Sequence, residues 1–530
     1  VAQRFFLSID VGSASVRAGL YDMRGTRIAF ADRPIRQFRP GGEMVEQSSA
    51  DIWARLAEAV RVAVGMARID PAEVAGIGID ATCSLVAVGA DGGPVSVAAD
   101  GDPERDIVMW MDHRAGAEAA EINATGDAAL AYVGGEVSLE MELPKVLWLR
   151  RHGPDRAARV ARYFDLADYL VWRATGADVA SVCTLTCKWN YLAHEGRFSA
   201  SLLQAVGLED LPRLVPRRVL PIGQTAGTLT PDAAPVLGLL AGIPVGTGII
   251  DAHAGGLALI GAAPRGGLAL IAGTSNCHMI VSPEPIMVPG VWGPYLGAML
   301  PGFWLNEGGQ SAAGALLDWT IRQSDAWPAL DAAARAAAQT PYAILNEWVA
   351  DLERRETWPT RHLHVVGDHH GNRSPRADAQ ARGVVAGLTL ESGRDGVARL
   401  YLATVQALAY GTLEIVSAMQ RAGHTVTRIV ACGGGTKNPL WLREHADATG
   451  CDLHLAEDPD AVTLGAALLA ATAAGAFPTV TEAAAAMVRP GATVATRPDT
   501  HAFHDAKFAV YSTLHADAKR IRATMDKVAA

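Results

Sequence analysis

Charge, aromatic rings and cysteine are all scarce in this sequence. Asp, Glu, Lys and Arg make up 19% of the 530 residues, and Phe, Trp and Tyr only 6%. Acidic residues outnumber basic ones, 56 to 46, for a formal net charge of −10. That balance argues against nucleic acid or an anionic membrane as the main partner. It does not bear on an anionic nucleotide, which needs only a local site. The six cysteines, at 83, 183, 187, 277, 432 and 451, include no CxxC pair. Cys183 and Cys187 are spaced CxxxC with no second cysteine pair to complete a zinc site, so reduced, buried thiols and a cytoplasmic setting are expected. Leu257 to Gly273 is apolar but broken by Pro264 and Arg265, and Thr463 to Phe477 is too short to cross a bilayer. The chain runs at once into a strand pattern, without a basic stretch and apolar leader. No GxxxxGK[ST] phosphate loop occurs, and Gly76-Ile-Gly78 lacks the third glycine of a dinucleotide fingerprint.

Apolar residues, by contrast, are plentiful at 50%, and the length predicts two to four domains. Phe5 to Ile9, Val16 to Tyr21 and Arg27 to Ala31 read as three strands. Asp51 to Met66 reads as an amphipathic helix capped by Ser48 or Ser49, and Val74 to Ile79 as the next strand. This is an α/β pattern. A similar unit starts near residue 243: a strand ending near Asp251, then a strand, a small-residue turn and a strand in "GGLALIAGTSNCHMIVSP". A long helix follows over about 396–421, then a strand at 428–431 and a helix from Pro439 to about Thr449. Two copies of one architecture are therefore expected. Residues 100–225 read as inserted helices and loops, residues 320–360 as helical, Pro359 to Gly383 as a long loop, and the segment beyond about 480 as a short helical tail.

Three glycine-bearing turns each follow an apolar strand: Asp10 to Ser15, Gly273 to Asn276 and Gly433 to Asn438. Each alone is an ordinary turn. Together, on two similar halves, they suit the phosphates of one nucleotide, because exposed backbone N–H groups bind anions and the third turn leads into a helix N-terminus. Asp251 ends a strand among Gly248, His253, Gly255 and Gly256. Such an aspartate commonly caps a helix, but it can also take the proton of a substrate hydroxyl during phosphoryl transfer. Asp10 would then hold Mg²⁺, a hard cation suited to carboxylates. Glu307 reads as a carboxylate before a helix, stabilised by the helix dipole, and Lys188 as a solvated surface lysine; position alone assigns neither a role.

Several ordered segments resemble the FGGY carbohydrate kinases, which have the actin/Hsp70-like ATPase fold. "DVGSASVR" at 10–17 fits the family's first phosphate loop, D-x-G-x-x-x-x-R, and "AGTSN" at 272–276 its second. "LPKVLWLRR" at 143–151 fits the first signature, and "GTGIIDAHAG" sets Asp251 at the catalytic base. "GNRSPRADAQARG" at 371–383 and "GGGTKNPLWLREHADATG" resemble the loop before the second signature and the adenosine-site segment. After Gly387-Leu388 the second signature is spaced more widely than the family pattern, and Arg399 stands where a polar or acidic residue is usual. "GIDATCSLV", "VMWMDHRA" and "NEGGQSAAG" resemble the ribulokinase branch, nearest to its D-ribulokinase-like members.

The resemblance implies two α/β domains of the actin/Hsp70-like (ribonuclease H-like) type, residues 1–255 and 256–530, with a cleft between them. It implies ATP with Mg²⁺ on Asp10 and Asp251, and phosphorylation of the terminal 5-hydroxyl of a ketopentose, D-ribulose foremost. Carried over by position, ATP would meet Gly12, Ser13, Ser15, Arg17, Gly273 and Thr274, with its adenosine side against Gly314, Gly434, Gly435 and Asn438. The sugar would meet the backbone of Cys83, then Lys188, Asp251 and Glu307, with Asp112 nearby. A homodimer is a further expectation. The rivals are an L-ribulokinase, xylulokinase or polyol kinase acting on ribitol or erythritol, and an actin- or Hsp70-like ATPase with no sugar substrate.

Overall fold

In the computed structural model, which describes residues 4–529, the chain builds two mixed seven-stranded sheets of similar plan. The first starts with β1 (Phe5–Val11), β2 (Ser15–Tyr21) and β3 (Arg27–Pro34) and adds β4 (Val74–Ala81) and β5 (Pro244–Gly246). All seven residues of β1 are buried. That explains its largely apolar run, broken only by Ser8 and Asp10: a strand covered on both faces has no solvent side to show. β1 pairs antiparallel with β2 and parallel with β4, and β5 continues past β4 toward the edge at Thr225–Thr228. Helix α1 (Ser49–Ala67) covers one face, with Ile52, Leu56, Ala59 and Ala63 buried and the Ser48 hydroxyl accepting from Asp51 N–H at 3.3 Å as its N-cap. Two more helices of this half, α2 (Val182–Lys188) and α3 (Asp251–Ile260), carry residues of interest below.

The second sheet repeats the plan. β6 (Gly267–Ala272) pairs antiparallel with β7 (Asn276–Ser282), which pairs with β8 (Trp304–Gln310); β6 also pairs parallel with β9 (Arg428–Cys432). β10 (Leu453–Ala456) and β11 (Pro490–Val494) complete that side. Each half thus has a strand with an antiparallel hairpin on one flank and a parallel crossover strand on the other, so the repeat inferred from hydrophobic pattern is present in the hydrogen-bond ladders. Around the second sheet lie α4 (Gly314–Arg322), α5 (Gly393–Ala422), α6 (Pro439–Thr449), α7 (Ala461–Ala473) and α8 (His501–Ala529). Helix α5 is long and apolar enough to cross a membrane, but 78% of its most apolar window is packed inside protein, as in a core helix.

Helix α7 locks the halves together. It follows β10 in the second half yet packs on β1 and β4 of the first and against α3. Close backbone approach makes this possible: a Cβ on Gly78 would lie 1.9 Å from Ala466 O, and one on Gly465 would lie 2.0 Å from Ala254 O.

Two expectations need correction. Residues 100–225 are not only helices and loops: Ile107–Val108 and Val160–Asp165 join strands at 38–41, 44–47 and 85–89 in a five-stranded sheet. The segment beyond 480 is more than a short tail, because β11 extends the second sheet and α8 runs for 29 residues. The five-stranded sheet was hidden by strands of two to four residues, for which hydrophobic periodicity has too few residues to register.

Candidate active site

The three small-residue turns stand at matching ends of the two sheets. Gly12 N–H donates to Ser15 O at 3.0 Å and Gly273 N–H to Ser275 O at 2.9 Å, so a glycine N–H closes each of the β1–β2 and β6–β7 hairpins. Three side chains pin Ser13: Gln37 and Gln47 donate to its carbonyl at 2.7 and 3.1 Å, and Trp110 Nε1 donates to its hydroxyl at 2.9 Å. The N-terminus of α4 sits on the second turn, with Ala313 N–H donating to Thr274 O at 2.9 Å and Gly314 N–H to Gly273 O at 3.1 Å. Asn438 caps α6, accepting from Leu440 and Trp441 N–H, while its amide donates to Tyr401 Oη at 2.7 Å.

Glycine at these turns is informative. A Cβ on Gly12 or Gly273 would meet nothing closer than 3.6 or 3.5 Å, and one on Gly434 nothing within 4 Å. None of the three has a left-handed φ. The fold itself does not demand glycine there, and the absence of a side chain leaves the backbone of these turns open to a ligand. Gly433 is the contrast: its φ is +96°, and a Cβ would lie 2.4 Å from Ala272 O. Gly435 is also close-packed, 2.8 Å from the Ala272 methyl.

Beside the first turn three carboxylates gather. Asp10 stands opposite Asp80 in the β1–β4 pairing and opposite Arg17 in the β1–β2 hairpin. Arg17 pairs with Asp10 and reaches Asp460, the N-cap of α7, at 3.4 Å. Asp251 opens α3, its Oδ1 accepting from Ala252 N–H at 2.7 Å. Burial raises Asp10 to about 7, against the pull of Arg17, with Asp251 and Asp460 pushing it further up. Burial and the neighbouring Asp10 and Asp251 raise Asp80 well above the carboxylate range, and burial raises Asp251. Both Asp80 oxygens are buried and accept no hydrogen bond among the described residues. Crowded carboxylates with orphaned oxygens fit a hard divalent cation, which would relieve their repulsion and satisfy those atoms.

The other side of the site is built from Lys188, Glu307 and two residues that sequence reasoning passed over, His253 and Arg373. Lys188 is not a solvated surface lysine: it ends α2, is 3% exposed, and holds its ammonium 4.5 Å from the Trp292 ring centroid. Arg373 lies over the same ring at 3.8 Å. Nor does Glu307 stand at the start of a helix. It lies inside β8, buried, accepting from Arg373 Nη2 at 2.7 Å and facing His253 Nε2 at 2.9 Å. Burial alone would raise Glu307, but His253 and Arg373 hold it far below the carboxylate range, so it is ionised. His253 Nδ1 faces Cys183 Sγ at 3.1 Å and Cys187 Sγ at 3.9 Å.

Cys83 is buried just beyond β4, where Thr82 N–H donates to Val11 O at 2.9 Å and ties that turn to β1. Asp112 is placed differently from the other candidates. Its oxygens already accept from Val45 N–H at 2.6 Å and from Arg114, so it stands as the anchor of a buried Arg114–Glu46 network. A cavity of about 790 Å³ near Trp358, Leu388 and Arg399 contains none of the candidate residues.

Comparison with known proteins identifies the family and the fold. Residues 5–258 match the FGGY family of carbohydrate kinases, N-terminal domain, and residues 268–474 match its C-terminal domain. The FGGY carbohydrate kinase domain-containing protein of Homo sapiens is 44% identical, the alignment covering 99% of this chain and 98% of the relative. A D-ribulokinase of Saccharomyces cerevisiae is 36% identical over 89% of this chain and 72% of its own length. The fold is that of the solved xylulose kinase from Rhodospirillum rubrum, at a TM-score of 0.82 and 24% identity over 98% of this chain and 99% of the other.

Proposed function

This chain belongs to the FGGY family of carbohydrate kinases and so transfers phosphate from ATP to a sugar; from that premise we propose that its acceptor is the terminal 5-hydroxyl of a ketopentose, D-ribulose first. The observation that carries this reading is the position of Asp251. It opens α3 beside Asp10 and Asp80, with the glycine turns on one side and the Lys188–Glu307 group on the other. The choice of D-ribulose leans on the relative named D-ribulokinase and on the "TCSLV" stretch at 82–86.

In this scheme the sugar lies on the first half, residues 1–255, and the adenosine on the second, residues 256–530. The phosphates rest between the turns bearing Gly12, Ser13 and Ser15 and those bearing Gly273 and Thr274. The adenosine side lies against Gly314, Gly434, Gly435 and Asn438. Asp251, its basicity raised by burial, accepts the proton of the 5-hydroxyl as the oxygen bonds to the γ-phosphorus and the bond to ADP breaks. Asp10 and Asp251, with Asp80 at their side, are the residues that would hold Mg²⁺, which supplies charge neutralisation for the phosphates. Lys188 donates to a sugar oxygen while Glu307, ionised and held by Arg373, accepts from a sugar hydroxyl. The backbone at Cys83 completes the contact. Arg17 balances the carboxylates and stands within reach of the phosphates.

ADP release measured across D- and L-ribulose, xylulose, ribitol, erythritol and glycerol tests the substrate. D-ribulose is expected to give the highest kcat/KM. Preference for a polyol or for xylulose would replace the ketopentose assignment, and ATP hydrolysis indifferent to every sugar would remove it.

A further inference from the structure

Behind the sugar-facing side chains, two cysteines and a histidine converge in a way that phosphoryl transfer does not use. Cys183 and Cys187 stand one helical turn apart on α2 and so share a face. Both sulfurs face Nδ1 of His253, in the first turn of α3, at 3.1 and 3.9 Å. The three donor atoms all lie within 4.8 Å of one another. We propose that Cys183, Cys187 and His253 form a binding site for a single thiophilic cation of the Zn²⁺ or Cd²⁺ class.

The donor spacing suits such an ion. A Zn²⁺ centre with Zn–S of about 2.3 Å and Zn–N of about 2.0 Å sets a sulfur and a nitrogen ligand roughly 3.5 Å apart, between the two N···S separations of 3.1 and 3.9 Å here. The residue types suit it as well, because thiolate and imidazole select thiophilic ions over Mg²⁺. The arrangement around the histidine is the more specific sign. His253 Nε2 meets the Glu307 carboxylate at 2.9 Å, and Arg373 holds that carboxylate at 2.7 Å. A carboxylate on the far nitrogen fixes the tautomer that leaves Nδ1 free as a donor atom. Cys183, Cys187 and His253 are each at most 1% exposed, so water does not compete for the ion. On binding, each thiol gives up a proton to solvent, and the two thiolates neutralise the ion's double charge.

The place in the fold gives the site its consequence. Cys187 immediately precedes Lys188, and His253 follows Asp251 by two residues. A cation here ties α2 to α3, the two helices that carry sugar-facing groups. The assignment rests on the donor geometry and holds whichever sugar is the substrate.

The test is titration of the full-length, reduced protein with Cd²⁺, read by ultraviolet thiolate-to-Cd²⁺ charge transfer. Wild type and Cys451→Ser are expected to saturate at one equivalent. Cys183→Ser and Cys187→Ser are expected to bind at least about tenfold more weakly, and Glu307→Gln, which removes the histidine's carboxylate, about tenfold more weakly. Co²⁺ added to the wild type gives a reading that needs no variant: thiolate-to-Co²⁺ charge transfer. Absence of a saturable band in the wild type, or bands of equal strength in both serine variants, overturns the proposal.

Discussion

At the scale of single residues, the site turns on charges kept out of water by their partners. Lys188 is a buried ammonium that Cys83 and Glu307 hold above its usual range against the cost of burial. Removing it leaves Glu307 with less positive surroundings and the sugar with one charged donor fewer. Lys188→Met is therefore expected to raise the sugar KM at least about tenfold, since a hydrogen bond to a charged group is worth about 1.5–3 kcal/mol; the ATP KM should stay within about twofold of wild type by the same contact argument. Steady-state kinetics with each substrate varied will show the split, and an equal rise in both KM values would contradict the placement. A second residue-scale effect concerns acid. Burial, with His445 and Arg373 adding repulsion, lowers His278 from the usual 6.5 to about 3. The unfolded chain therefore takes up this proton near 6.5 and the folded chain only near 3, so stability is lost as pH falls through that window. His278→Gln should flatten the pH dependence of unfolding free energy there, by up to about 1.4 kcal/mol per pH unit, read by denaturant unfolding across that window. A variant as acid-sensitive as the wild type would show that other groups govern the loss. Little of this was legible beforehand. Asp10 and Asp251 could be picked out because they end apolar strands beside small residues. Asp80 ends a strand too, but its meaning depends on lying opposite Asp10. His253 and Arg373 act through contacts across 54 and 66 residues of sequence, a separation that local pattern does not carry.

Among the elements, the hairpins and helix termini follow directly from the sequence, and the interlock of α7 does not. The first hairpin is readable because apolar strands flank a run of small residues, and α1 because its buried positions recur at helical spacing below a serine cap. Helix α7 reads only as an apolar segment. Its packing on β4 depends on Gly78, whose role appears once Ala466 is seen against it. Gly78→Ala would set a methyl 1.9 Å from Ala466 O and displace the helix. Its expected cost is about 1–3 kcal/mol of stability, readable as a lower denaturant midpoint with an unchanged m-value. Gly434→Ala is its counterpart: with nothing in the protein within 4 Å of the new methyl, the midpoint should hold while the ATP KM rises. If Gly434→Ala unfolds easily and binds ATP normally, the glycine serves the fold and not the nucleotide.

For the whole molecule, each of the two similar halves brings a hairpin turn to the candidate site. Strand β8 of the second half carries Glu307 to His253 of the first, so the group of Lys188, Glu307 and His253 is assembled across the halves. Movement of one half against the other would exclude water and complete the site. Two-domain α/β architecture and the order of its motifs were open to sequence reading because strands and turns recur in the same order in each half. The five-stranded sheet within the first half was not, because several of its strands are two to four residues long. The proposed meeting of sugar and ATP at Asp251 is tested most directly by ADP formation by wild type and Asp251→Asn with saturating D-ribulose. Sugar-dependent turnover by the wild type is expected, with a loss of about 10²- to 10⁴-fold in kcat for the variant, the usual worth of a general base, and a folded protein by circular dichroism. Near-normal turnover by folded Asp251→Asn would contradict it.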